Sequence, residues 1–156
     1  MNATTVAKPD PRTLRFCVIA ARWNTDHVDR LVDAARVSLA GLGVPAENVD
    51  VRRVPGSFEL PVAALWAARS GAFDAVLAFG VVIRGGTEHF RLVADASSQG
   101  LLRVSLDTGV PVLNGVLACE NADQATERTG GEMGNRGSEV ALAAFEMASQ
   151  HRVHAS

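Results

Sequence analysis

Asp74-Ala75-Val76-Leu77-Ala78-Phe79-Gly80-Val81-Val82-Ile83-Arg84-Gly85-Gly86-Thr87-Glu88-His89-Phe90 decides the fold of this chain. Its first part is an apolar run of strand length with no polar alternation, the pattern of a strand buried on both faces. Two glycines then turn the chain, which restarts as a helix with a histidine in its first turn. Open parallel sheets place their ligands at the carboxyl ends of the strands, so chemistry is expected in the turn after Ile83.

The same strand-then-helix unit recurs on both sides. Upstream, a strand is predicted at about Leu14 to Ala20, then a helix capped by Thr25 with Val28, Leu31, Val32, Ala35, Leu39 and Leu42 on one face. Gly41, Gly43 and Pro45 stop it. A second strand, about Val49 to Val54, enters the Pro55-Gly56 turn. Ser57 offers a capping hydroxyl, and Pro61 is tolerated in the first turn of a helix through Leu65 and Trp66 that ends at Gly71.

Downstream, the helix after the turn carries Phe90, Val93 and Ala94, then Leu101, Leu102 and Leu106. Gly100 is its weak point and Gly109-Val110-Pro111 its terminator. A fourth strand, about Val112 to Cys119, precedes a short helix whose Asn121 and Gln124 resemble a capping box and which ends near Thr129. Gly130 to Gly137 is too rich in glycine for a helix interior. A last helix, about Ser138 to His151, turns Val140, Ala143, Ala144 and Met147 inward. Residues 1 to 13 are expected to be a mobile arm and 14 to 156 a single domain. Strand and helix alternate throughout, which gives an α/β sandwich of three layers around a parallel four-stranded sheet.

Composition agrees: 156 residues with 47% hydrophobic and 21% charged suit one globular domain. A net charge of −2 argues against nucleic acid or an acidic membrane as partner. Lys8 is the only lysine, so a Schiff-base lysine in the core is excluded, whereas arginines remain for anion contacts. Cys17 and Cys119 fall in apolar runs and read as buried thiols. No stretch of about 18 apolar residues and no apolar leader is found, so a cytoplasmic protein is expected.

Taken singly, the candidate residues have two readings each. Gly85-Gly86-Thr87 suits phosphate, because glycines admit a close backbone approach and a helix N-terminus offers free N–H groups; it equally makes a plain turn capped by Thr87. It is neither a Walker loop nor a dinucleotide fingerprint. His89 can carry protons at neutral pH, or simply face water. Trp23-Asn24 offers a flat face and an amide, or plugs the sheet edge. Ser57-Phe58-Glu59 is a hydroxyl, a ring and a carboxylate at a strand end, or a helix cap. Arg128 is an anion ligand only if an anion lies near it. No histidine pair has metal-ligand spacing.

Together these blocks form a pattern. Trp23-Asn24, Val54 to Pro61, Gly80 to Phe90, Asn114-Gly115-Val116-Leu117, Gln124 to Arg128 and Asn135-Arg136-Gly137 occur in this order. The chain thereby resembles the 6,7-dimethyl-8-ribityllumazine synthase family of riboflavin biosynthesis over about Leu14 to Met147. The resemblance implies a flavodoxin-like fold, a pentamer with active sites between subunits, and condensation of 5-amino-6-(D-ribitylamino)uracil with 3,4-dihydroxy-2-butanone 4-phosphate. No cofactor is implied.

By position, the resemblance implies that Trp23 stacks on the pyrimidine with Asn24 beside it, and that Ser57, Phe58 and Glu59 hold the ribityl chain. Val81, Val82 and Ile83 would line the ring pocket through their backbones. Gly86 and Thr87 would bind phosphate with Arg128 of the adjacent subunit, Asn114 would close the pocket across the interface, and His89 would transfer protons. Glu132 and Arg136 stand where lysine is frequent, with charge reversed at the first and kept at the second. This bears on a secondary phosphate contact or on the assembly interface. A short glycine turn at 130–137 is the form found in members whose pentamers build icosahedral shells. A binding protein for ribityl-lumazines or flavins, or a shell protein without turnover, would use the same residues.

Overall fold

Strand β1 (Phe16–Ala21) sends alternate side chains to opposite faces, and each face has its own core. Phe16, Val18 and Ala20 join one cluster, while Cys17, Ile19 and Ala21 join the other. This computed structural model describes residues 7–155. Strand β3 (Ala75–Ile83) divides in the same way: Leu77, Phe79 and Val81 face the first cluster, Val76 and Ala78 the second. Both strands are buried on two sides, as their unbroken apolar runs require.

The sheet has the order β2-β1-β3-β4 with every pairing parallel, where β2 is Val49–Val54 and β4 is Val112–Cys119. The chain leaves β1 to one side for β2, then crosses to the other side for β3. The strand order therefore reverses between β1 and β3, and a crevice opens at their carboxyl ends. Helices α1 (Thr25–Gly41) and α5 (Arg136–His154) cover one face, and α2 (Leu60–Arg69) and α3 (His89–Thr108) cover the other. Burying a side chain such as Phe79 or Leu77 between these layers contributes about 1.5–3 kcal/mol each. The short helix α4 (Ala122–Arg128) follows β4.

Several local expectations are corrected. The N-cap of α1 is Asn24, in the left-handed region at φ 59°, while Thr25 turns its hydroxyl back to the Arg22 carbonyl. Leu102 and Leu106 are 59% and 75% exposed, and the inward stripe of α3 is Phe90, Ser97, Leu101 and Val104. Gly100 is a point of contact, since a Cβ there would lie 2.7 Å from Pro61 Cγ. Ala143 and Met147 are exposed, and Val140, Ala141, Ala144 and Ala148 form the buried stripe of α5. The glycine-rich stretch is a small antiparallel hairpin of β5 (Thr129–Gly131) and β6 (Gly134–Asn135).

Of the arm expected at 1 to 13, residues 1 to 6 lie outside the described residues. Pro11–Thr13 is a 3-10 turn capped by Asp10, whose carboxylate accepts from the Arg12 N–H at 2.9 Å. The turn is tied in at both ends of the fold: the Arg12 carbonyl accepts from Asn48 Nδ2 at 2.9 Å, and the Thr13 carbonyl accepts from Arg152 Nη2 at 3.0 Å. Arg152 also makes a two-pronged pair with Asp74, at 3.0 and 2.9 Å, which fastens the end of α5 to the start of β3.

Candidate active site

The crevice at the carboxyl ends of β1 and β3 holds a cavity of about 400 Å³. Three segments build its walls. After β1 the chain turns through Trp23 and Asn24; the left-handed Asn24 reaches across, and its Nδ2 donates to the Val81 carbonyl at 2.6 Å. Trp23, 74% exposed, also lines the cavity, and its backbone N–H donates to the Pro55 carbonyl at 3.2 Å.

After β2 the wall is a 3-10 turn, Ser57–Glu59, closed by the Gly56 N–H donating to Glu59 Oε2 at 3.0 Å. Ser57 is buried against Gly80 of β3, whereas Phe58 projects from the surface. The floor is the end of β3 itself, with Val81, Val82 and Ile83. Beyond it the chain runs through Gly85, Gly86 and Thr87, and the Thr87 Oγ1 accepts from the His89 N–H at 3.3 Å. This hydroxyl serves the first N–H of α3, but the N-cap position is Glu88 and not the expected Thr87. His89 stands at the first position of α3, exposed, on the rim of the cavity.

Trp23, Asn24, Ser57, Phe58, Glu59, Val81, Val82, Ile83, Thr87 and His89 thus meet around one cavity. Gly86 lies in the same turn, between the lining residues Gly85 and Thr87. Asn114 and Arg128 do not join them. Asn114 is on the open edge of β4, where its Nδ2 donates to Ser98 Oγ at 2.6 Å and its Oδ1 accepts from the Val116 N–H at 3.0 Å. Arg128 is exposed at the end of α4, close enough to Cys119 for its charge to oppose the upward push that burial gives that thiol.

Phe90, Val93 and Gly56 also line the cavity and were not singled out as site residues from the sequence, while Gly85 lines it as part of the Gly85-Gly86-Thr87 turn. Val93 follows His89 by four residues and Phe90 by three, a helical spacing that could have placed it beside them. Arg84 lies behind the turn, and its guanidinium is held further into the charged form by its hydrogen bond to Glu120, then by the charges of Glu120 and Glu88. No group of three metal-ligating side chains occurs among the described residues. Nor is any described helix long and apolar enough to cross a membrane.

A small apolar cavity with a planar ring at its mouth, backbone N–H groups at a helix start and an imidazole on its rim suits a flat heterocycle beside an anionic group. Residues 13–152 match the family model described as 6,7-dimethyl-8-ribityllumazine synthase. A protein of that name from Stenotrophomonas maltophilia (strain R551-3) is 54% identical over 137 residues, covering 88% of each chain. One from Xanthomonas oryzae pv. oryzae (strain PXO99A) is 54% identical over 88% of this chain and 89% of its own. One from Xanthomonas campestris pv. campestris (strain B100) is 53% identical over the same shares.

Proposed function

The chain belongs to the 6,7-dimethyl-8-ribityllumazine synthase family, and from that premise we propose how its crevice serves the reaction. The enzyme condenses 5-amino-6-(D-ribitylamino)uracil with 3,4-dihydroxy-2-butanone 4-phosphate to 6,7-dimethyl-8-ribityllumazine, releasing phosphate and water, in riboflavin biosynthesis. The observation that carries the site reading is the meeting of three strand ends, the Gly85-Gly86-Thr87 turn and His89 around one cavity.

Trp23 stacks on the pyrimidine and Asn24 fixes the edge of that ring pocket. Ser57, Phe58 and Glu59 hold the ribityl chain, and the backbones of Val81, Val82 and Ile83 meet the ring. Gly86 and Thr87 take the phosphate. The amine of the uracil attacks the ketone and loses one water to give an imine, phosphate leaves, and ring closure expels a second water; each step needs proton movement between held substrates, and His89 supplies it. The imine nitrogen comes from the substrate, so a chain with Lys8 as its only lysine is sufficient.

Arg128 and Asn114 act on the site of an adjacent subunit in a homopentamer. Their separation from their own chain's cavity supports this arrangement, as do the exposed apolar side chains Leu92, Leu102 and Leu106 on α3 and Trp66 on α2. The 129–135 hairpin is a short connection between α4 and α5, the form that favours assembly of pentamers into a closed shell. Two unpaired, buried thiols suit the cytoplasm.

The test is a turnover assay of the purified protein with both substrates, following the lumazine and phosphate together. One phosphate per lumazine is expected from the wild type. Lumazine formed at the wild-type rate by a variant with Gly86 and Thr87 replaced would remove the turn from the site.

A further inference from the structure

Arg84 stands between β3 and the Gly85-Gly86-Thr87 turn, yet it does not line the cavity. Its backbone N–H donates to the Cys119 carbonyl at 2.8 Å, carrying the β3 to β4 ladder one residue past the end of β3. Its side chain then crosses the outside of the turn. Nη1 lies 3.0 Å from Glu120 Oε2, Nη2 lies 3.4 Å from Glu88 Oε1, and Cζ lies 5.2 Å from the centroid of the Phe90 ring. Glu88 is held from its other side by Arg91, at 3.5 Å.

The residue before the turn is therefore bound to two residues after it and to the corner between β4 and α4. The two glycines themselves are unpacked: among the described residues, a Cβ built on Gly85 or on Gly86 would meet no heavy atom within 4 Å. Two glycines without packing have wide backbone freedom. Backbone N–H groups bind an anion well only if they converge before it arrives, because ordering them on binding costs affinity.

We propose that Arg84 is a positioning residue that straps the phosphate turn into its binding shape through Glu88, Glu120 and Phe90, without touching the phosphate itself. This rests on the reading of Gly86 and Thr87 as the phosphate site. Each contact of the strap is exposed and individually weak, so the strap acts through their combination.

Four full-length proteins test this: the wild type, Arg84→Ala, Arg84→Lys and Glu120→Asp. Inorganic phosphate is titrated into each by calorimetry, and kcat and both KM values are measured alongside the melting temperature. For Arg84→Ala, phosphate binding should weaken and KM for the phosphorylated substrate rise by about 3- to 30-fold, with KM for the uracil substrate within about twofold of wild type. Arg84→Lys should recover part of the loss. Glu120→Asp keeps the charge but shortens the reach, so it should weaken phosphate binding in the same direction by less.

If Arg84 were a direct phosphate ligand, Glu120→Asp would free the guanidinium, and phosphate would bind as well as before or better; that result overturns the strap. Equal losses in both KM values with a lowered melting temperature also overturn it, by showing a general structural role. A wild-type enzyme that turns over but shows no phosphate binding would defeat the reading of the turn itself, and the strap with it, before any variant is compared.

Discussion

Gly80→Ala puts one methyl into the tightest place in the site. A Cβ there overlaps the Ser57 hydroxyl and sits 3.2 Å from both Ser57 Cβ and Leu60 Cδ1. Ser57 is buried and Leu60 begins α2, so the whole 3-10 turn has to back away from β3. Regaining ordinary contact requires a retreat of about 1 Å. Overpacking of this kind costs about 1–3 kcal/mol, which for a chain of this length lowers Tm by roughly 2–12 °C. The same displacement carries Ser57, Phe58 and Glu59 away from the position proposed for the ribityl chain, and a 1 Å misplacement can cost up to about 100-fold in rate. Calorimetric melting combined with steady-state kinetics reads both effects, with KM for the uracil substrate rising more than KM for the phosphorylated one. Adding Ser57→Gly removes the overlapping atoms and should return most of the lost Tm. Wild-type Tm and wild-type KM values in Gly80→Ala would refute this packing argument.

His89→Ala should lower kcat by roughly 10²- to 10⁴-fold with little change in substrate affinity, as measured by pre-steady-state mixing. Arg128→Ala should weaken the phosphorylated substrate by about 10- to 150-fold and leave the uracil substrate alone, as read from the two KM values. Burial, partly opposed by the charge of Arg52, pushes the Cys17 thiol from 9.0 up to about 11. The unfolded chain releases that proton first, so stability is whole below about pH 9 and falls as pH rises through about 11, by up to about 2.5 kcal/mol. Urea unfolding at several pH values should show the fall, and Cys17→Ala should flatten it.

The sheet was legible because β1 and β3 are short unbroken apolar runs between turn residues, alternating with helix-length segments, which is how doubly covered parallel strands are written. The hairpin at 129–135 was not, because its glycines carry no apolar alternation to mark strands. The cap of α1 was assigned to the hydroxyl of Thr25, whereas Asn24 is preferred for its tolerance of the left-handed region. Leu102 and Leu106 look like core residues in sequence, since periodicity cannot tell a side chain facing its own sheet from one on an outer apolar face. The turn and His89 were legible as one continuous stretch. The strap on Arg84 was not, because its partner Glu120 is 36 residues away and only the β3 to β4 pairing brings them together.

The central claim is that each site joins the turn and His89 of one chain to Arg128 of the next. Mixing tests it directly: His89→Ala and Arg128→Ala proteins are unfolded together in equal amounts, refolded, and assayed with the phosphorylated substrate held well below its wild-type KM, where each variant alone is only weakly active. Random assembly gives one site in four both an intact His89 and an intact Arg128, so the mixture should regain about a quarter of wild-type activity. A mixture no more active than the average of the two variants would contradict a site shared between subunits.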